Sequence, residues 1–370
     1  MVKKSMTYRW LWSCLISGGL LLAGCDDHPE DESLKQGYTP EEGQPLELVA
    51  VTRTAGATQI GNADCPDIRA FLTTPTELVQ IGGNNYGTFH YNTTLKGWES
   101  NITVKEERQY YLYGYMPAEM AGVSVNVSAP ESGKFSDGVN MTLTGLPAFT
   151  EDDVCLIVGV ERLSDLVSSA TTNVQEGNYS YLSGIVDRNY VNLLMGHLYV
   201  SLQLSFKLDA EYAKLRSIHL KKVEMTLPKE SGKVAATVNL RAGKGIYQPT
   251  FAISSSSADI TATLLNATAP ANEMVLDDRY TQNSLVVNSV YCAPNIFSGG
   301  GARLKIRTTY DVYDRTGNTN LGERTAENIL QIAASMKSGQ QKNVILTVNP
   351  TYLYVLSDGD LDNPVITINE

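Results

Sequence analysis

His197-Leu198-Tyr199-Val200-Ser201-Leu202-Gln203-Leu204-Ser205-Phe206-Lys207-Leu208 has an apolar residue at every even position and a polar one at most odd positions. A helix would scatter those residues around its circumference. A strand places Leu198, Val200, Leu202, Leu204, Phe206 and Leu208 on one buried face. The same half-buried pattern returns in Arg303-Leu304-Lys305-Ile306-Arg307, Asn343-Val344-Ile345-Leu346-Thr347-Val348 and Val365-Ile366-Thr367-Ile368.

Working back toward the N-terminus, Leu46-Glu47-Leu48-Val49-Ala50-Val51-Thr52-Arg53 reads as a short strand with imperfect alternation that stops at Thr54-Ala55-Gly56. A strand region around Ile68 to Leu72, a Gly82-Gly83-Asn84-Asn85 turn and the two-residue period of Gly87-Thr88-Phe89-His90-Tyr91-Asn92-Thr93 follow. Many short strands in two blocks predict an all-β chain of paired β-sandwiches. A length of 370 residues suits two domains. We place them at residues 45–189 and 190–370, with the run beginning at His197 opening the second. The pattern weakens over 165–188, which reads as loop. Residues 325–337 are the best helical candidate, although Ile329, Leu330 and Ile332 would also serve a strand.

The start of the chain carries a different signal. Lys3, Lys4 and Arg9 precede an apolar run from Trp10 to Leu22 that is too short to span a bilayer, and Leu22-Ala23-Gly24-Cys25 closes it. This is a secretory signal of the lipoprotein kind over residues 1–24. Cys25, as first mature residue, would carry several acyl chains, enough for stable anchoring. The acidic run Asp26-Asp27-His28-Pro29-Glu30-Asp31-Glu32 opens a solvated tether over 25–44. Directly after a lipidated cysteine, it resembles the surface-export signal of lipoproteins in Gram-negative anaerobes, which implies an outer-membrane protein facing outward.

The formal net charge is −11, and the signal segment holds three cations and no acids, so the mature chain stands three lower, at −14. Such a surface repels phosphate backbones and argues against nucleic acid as a partner. After Cys14 and Cys25, three cysteines remain, Cys65, Cys155 and Cys292, with no metal-type spacing. The compartment permits a Cys65–Cys155 bridge, which spacing alone cannot assign. Cys155, inside Val154-Cys155-Leu156-Ile157-Val158, reads as a small core residue.

Tyr110-Tyr111-Leu112-Tyr113-Gly114-Tyr115-Met116-Pro117 is, with Trp98, the most aromatic part of the mature chain. Tyr113 and Tyr115 are candidates for a glycan-binding platform. The plainer reading has alternate tyrosines burying their rings on one side of a strand while keeping hydroxyls wet on the other. Elsewhere the chemistry is sparse. There is no Gly-x-Ser-x-Gly elbow, no His-Glu-x-x-His and no phosphate loop. The four histidines stand singly, and His197 reads as structural. Asp358-Gly359-Asp360-Leu361-Asp362-Asn363 lacks the glycine and glutamate of a calcium loop and reads as an acidic turn. No enzyme, cofactor or metal is expected.

Taken in order, the lipobox with its acidic tail, Val51-Thr52-Arg53-Thr54 after a first strand, Tyr111-Leu112-Tyr113-Gly114-Tyr115-Met116-Pro117, Gly196-His197-Leu198-Tyr199-Val200-Ser201-Leu202 and Pro350-Thr351-Tyr352-Leu353-Tyr354 resemble the fimbrillins. These are the type V pilins and pilus-associated lipoproteins of gut and oral anaerobes. The resemblance implies two tandem transthyretin-like β-sandwiches and assembly with further copies or related pilin subunits in an adhesive fimbria. It also implies proteolysis after Arg53, loss of the strand from Leu46 to Thr52, and filling of the vacated groove by a strand from another subunit. The segment from Val365 to Ile368 would be the donor. Members that serve as anchors keep the lipid and the first strand. A surface glycan-binding lipoprotein, meeting a host or bacterial ligand, is the remaining reading.

Overall fold

The computed structural model describes residues 43–53, 65–105, 109–162, 182–183, 190–228, 233–241, 245–246, 249–254, 258–294, 302–332, 336–349 and 364–369. Strand succeeds strand because apolar side chains recur at a spacing of two and turns intervene every few residues. The first group is β1 (Gln44–Pro45), β2 (Glu47–Arg53), β3 (Ile68–Thr73), β4 (Gly87–Asn92), β5 (Gly97–Ser100), β6 (Thr103–Val104) and β7 (Gln109–Met116). Next come β8 (Ser124–Ser128), β9 (Val139–Pro147), β10 (Phe149–Thr150), β11 (Cys155–Arg162), β12 (Leu182–Ser183) and β13 (Tyr190–His197). The third group is β14 (Val200–Leu208), β15 (Arg216–Leu227), β16 (Lys233–Arg241), β17 (Gly245–Ile246), β18 (Thr250–Ser254) and β19 (Ile260–Asn266). The last is β20 (Met274–Leu276), β21 (Leu285–Cys292), β22 (Ala302–Asp314), β23 (Asn320–Ile332), β24 (Gln341–Asn349) and β25 (Val365–Asn369). The chain is all-β, as the alternation predicted.

The first sheet runs β2-β13-β11-β7-β3-β4-β5, with β12 beside β7. It curls until its two ends meet: β2 lies against β5, and β1 pairs with β6 just beyond. The concave face holds a core of Leu46, Leu48, Val51, Ile68, Leu72, Phe89, Leu112, Ile157, Val160, Leu193 and Met195, among others. Its opposite face carries Phe71, Tyr111, Tyr113, Tyr115, Leu156 and Val158, which join a larger core with Met141 and Leu143 of β9 and Ala236 and Val238 of β16. β9 and β16 belong to a second sheet, β17-β16-β9-β8, with β18 also on β16. The remaining strands form a sandwich. One sheet is β10-β21-β14-β24-β25, the other β19-β15-β22-β23 with β20 on β15. Val200, Leu202, Leu204, Phe206 and Leu208 of β14 all face its interior, the face their even spacing required.

The run from His197 to Leu208 is not one strand. β13 ends at His197 in the first sheet, and β14 starts at Val200 in another, with Leu198 and Tyr199 forming the corner. The period of two survives the corner because Leu198 stays buried there, its amide donating to Val154 O at 2.8 Å. The division at 189/190 therefore cuts through the first sheet, where β13 pairs with β2 and β11. It also parts β9 from β16, which pair antiparallel over Val139–Pro147. Long-range pairing of this kind leaves no mark in local composition.

Two further expectations change. Residues 325–332 are strand, not helix, because β23 pairs with β22 from Asn320 to Ile332 and its side chains alternate between exposed and inward. Ile329 points out while Leu330 and Ile332 enter the core. Of the expected loop 165–188, Leu182 and Ser183 are strand, paired with Tyr110 and Gln109. The rest of it lies outside the described residues, as do the Asp358 turn, the signal segment, Cys25 and nearly all of the acidic tether.

Candidate functional site

The first strand explains its own imperfect alternation. β2 runs parallel to β13, with Leu48 opposite Val191 and Val51 opposite Leu193, and the register shifts between those pairs so that Val49 is an extra residue on β2. A bulge of this kind resets the phase. Leu46 and Leu48 before it and Val51 after it therefore all reach the same core, where each is buried. Burial of three such side chains contributes roughly 1.5–3 kcal/mol apiece.

β2 ends its sheet, and among the described strands it is laddered to β13. Its lead-in is held from the other direction: Gln44 pairs with Val104, Pro45 with Thr103, and the Leu46 amide donates to Ile102 O at 2.8 Å. The segment thus fills a slot in the curled sheet between β13 and β5–β6. Were it to leave, β13 would present a row of unpaired backbone groups beside vacated apolar pockets, which is the geometry that accepts an added strand. Arg53 is the last residue of β2, in register with Met195, and residues 54–64 lie outside the described residues. The candidate cleavage position is therefore at the exit of the strand that cleavage would free.

The candidate donor segment is already in use. β25 pairs antiparallel with β24 from Val365–Asn349 to Asn369–Ile345 and closes the edge of its sheet. Asn328 Nδ2 of β23 donates to Ile366 O at 2.7 Å, and the Tyr310 hydroxyl donates to Pro364 O at 3.3 Å. This tail can serve another subunit only by leaving its own sheet.

Tyr113 and Tyr115 do not form a platform. They are 0 % and 2 % exposed, because β7 is a central strand with β3 on one side and β11 and β12 on the other and is covered on both faces. Tyr111, Tyr113 and Tyr115 enter one core while Tyr110, Leu112 and Met116 enter the other. Nor is the Tyr113 hydroxyl wet: it donates to Phe135 O at 3.1 Å, and burial raises the phenol above its ordinary value. Gly114 lies between them because β3 approaches closely there; a Cβ would stand 2.2 Å from Arg69 O.

The cysteines carry no Cys65–Cys155 bridge. Cys65 Sγ lies 3.9 Å from Met116 Sδ, and Cys292, buried and raised well above the ordinary thiol range by desolvation, donates to Val200 O at 3.7 Å. Cys155 instead faces His197, with Sγ 3.5 Å from Nδ1, and Asp153 Oδ1 lies 2.9 Å from the same nitrogen. His90 sits at the surface beside Asp67, and His219 contacts Glu273 and stacks on Tyr313. The grouping at His197 was missed in the sequence because its members are 42 and 44 residues apart along the chain.

No family model matches the sequence, and no curated protein does. Solved structures that resemble it include a fimbrial protein from Bacteroides vulgatus, 11 % identical, covering 87 % of this chain and 98 % of that one with a TM-score of 0.36. Another is described as a candidate cell adhesion protein from Bacteroides fragilis, 12 % identical over 88 % of this chain and 97 % of that one, TM-score 0.37. A third, from Bacteroides thetaiotaomicron, is described as a candidate polysaccharide-binding protein, 7 % identical over 82 % and 91 %, TM-score 0.29. The likeness runs the length of the chains, and the superpositions are loose.

Proposed function

We propose that this chain is a structural subunit of a cell-surface fimbria, exported as a lipoprotein through Cys25 and assembled by strand exchange. The observation that carries the reading is β2: a core-filling edge strand, parallel to β13, that ends at Arg53. Cutting after Arg53 separates the strand from the rest of the chain, and the slot it leaves is completed by a strand from another copy or a related subunit. The free energy withheld from the cut subunit's own fold then drives assembly. The precursor stays monomeric because its own β2 occupies the slot. Adhesion to a host or bacterial surface is the role of the finished fibre, and the reading requires no catalytic chemistry.

The test is trypsin-like digestion of folded wild-type and Arg53→Ala protein, read by N-terminal sequencing and by electrophoresis without boiling. Wild type should lose everything up to Arg53 and form ladders resistant to mild detergent, while Arg53→Ala stays monomeric. Polymerisation of both, or of neither, overturns the shaft-subunit reading. The clamp on the lead-in, where β1 pairs with β6, favours one alternative: an anchor subunit that keeps its first strand and its lipid. An intact, lipid-bearing mass for the surface protein would select it.

A further inference from the structure

Cys155 and His197 are direct cross-strand partners in the antiparallel pair of β11 and β13. Opposite residues in such a pair project to the same face, and the two-residue period places Asp153 on that face as well. The three side chains converge where the first sheet gives way to β14. The ligand-capable atoms of Asp153, Cys155 and His197 lie within 4.8 Å of one another. Cys155 is sealed from solvent, and the Asp153 and His197 side chains are 8 % and 16 % exposed, so the cluster meets water through the imidazole and, less, through the carboxylate.

We propose that Asp153, Cys155 and His197 form a binding site for a zinc-class divalent cation that clips β11 to β13 where the first sheet ends and the chain turns toward β14. Thiolate sulfur, imidazole nitrogen and carboxylate oxygen are the ligand types such an ion takes in a four-coordinate site. The spacing fits. Zinc–sulfur and zinc–nitrogen bonds of about 2.3 and 2.0–2.1 Å at a tetrahedral angle put the two ligand atoms roughly 3.5–3.6 Å apart, and Cys155 Sγ is 3.5 Å from His197 Nδ1. The Asp153 oxygen, 2.9 Å from that nitrogen, needs to move out by a few tenths of an ångström to reach the roughly 3.3–3.4 Å that two first-shell N and O ligands subtend.

Both the thiol and the carboxylate address the same ring nitrogen. A nucleophilic triad would need them on opposite nitrogens, so the geometry suits a shared cation better than catalysis. The fourth position would be filled by water from the open side. The thiol must lose its proton for the ion to bind, so occupancy should rise with pH. The consequence is mechanical: the ion cross-links the start of β11 to the end of β13, beside the corner at Leu198 and Tyr199.

Cobalt(II) is the probe, since its thiolate charge-transfer band in the near ultraviolet and its tetrahedral d–d bands report both ligand type and geometry. The full chain should bind one equivalent, zinc should displace it, and zinc should raise the melting temperature. Cys155→Ser should remove the charge-transfer band while Cys25→Ala keeps it. His197→Asn, whose amide nitrogen stands where Nδ1 stood and can still donate to Asp153, should fold, weaken cobalt binding roughly ten-fold or more, and abolish the zinc-dependent rise in melting temperature. Absence of a charge-transfer band in wild type, or its survival in Cys155→Ser, would overturn the site and leave a hydrogen-bonded cluster.

Discussion

Val51 of β2 lies in register beside Leu193 of β13, in a parallel pair, and both side chains are sealed in the core of the curled sheet. An edge strand so placed can be expelled without dismantling its neighbours. Val51→Asp would bury an unpaired carboxylate at a cost of several kcal/mol, and the cheapest relief is to release β2 alone. Hydrogen exchange should show β13 amides losing protection while β14 keeps its own, and an added peptide of residues 46–53 with wild-type sequence should restore it. Global unfolding, or full β13 protection in the variant, would contradict this.

Tyr113 separates packing from polarity. Tyr113→Phe keeps the ring and removes the hydroxyl bond to Phe135 O, which still accepts the Gly138 amide at 3.1 Å, so the loss should be about 0.5–1.5 kcal/mol. Tyr113→Ala should cost about 3–5 kcal/mol through cavity formation. Denaturant midpoints at constant slope decide it, and equal losses would mean that the ring is not packed as described.

At Gly114 the constraint is steric. An added Cβ would stand 2.2 Å from Arg69 O and 2.8 Å from Ile157 Cδ1, forcing β3 away from β7. Gly114→Ala should therefore destabilise by about 1–3 kcal/mol. Gly97→Ala is the control, since the nearest atom to its Cβ is 4.0 Å away, and it should be neutral or slightly stabilising. Similar melting temperatures for the two variants would refute the close approach.

Burial holds Tyr113, Tyr115, Tyr199 and Tyr310 above the ordinary phenol value, Tyr310 to about 12 from 10.0. A group whose folded pKa is raised lends stability that is complete below its unfolded value and is lost as pH rises through the folded one. Stability should thus hold to about pH 10 and fall between 10 and 12. These phenols should ionise together with loss of the β-sheet circular dichroism signal. Smooth, non-cooperative ionisation with the sheets intact would show that they are accessible to solvent.

Periodicity made the strands legible, because burial on one face writes itself into every second residue, as from Val200 to Leu208. It could not disclose partners. That β16 completes a sheet with β9, or that β13 takes β2 in parallel, depends on pairing across long stretches of chain. The tyrosines of β7 misled for a related reason: strands covered on both faces carry apolar rings at odd and even positions alike, and composition cannot tell an exposed platform from a central strand. Residues 325–332 shared helix-forming composition with strand periodicity, and the thirteen-residue β23, paired with β22, decided the matter. The Asp153–Cys155–His197 grouping had no spacing signal at all, since the sheet register alone brings it together.

The C-terminal strand tests whether one segment can serve two sheets. β25 contributes the buried Ile366 and the half-buried Ile368, while Val365 stays 42 % exposed, so its packing is one-sided and backbone pairing over five residues adds to its hold on β24. Asn349 Nδ2 donates to Thr367 Oγ1 at 2.9 Å, and Asn328 and Tyr310 each bond a backbone carbonyl of the segment. Losing it would open the β24 edge beside Leu346 and Val348, both fully buried. Deleting residues 364–370 should lower stability by roughly 3–5 kcal/mol, the scale of one buried and one half-buried aliphatic side chain with a few hydrogen bonds. A labelled peptide of the same residues should bind the truncated chain saturably and restore the melting temperature. If the tail also acts in trans, truncated subunits cut after Arg53 should fail to extend one another yet still accept an intact partner's tail. A truncated protein that melts like the full chain and assembles as well would show that the segment neither completes its own sheet nor donates to another.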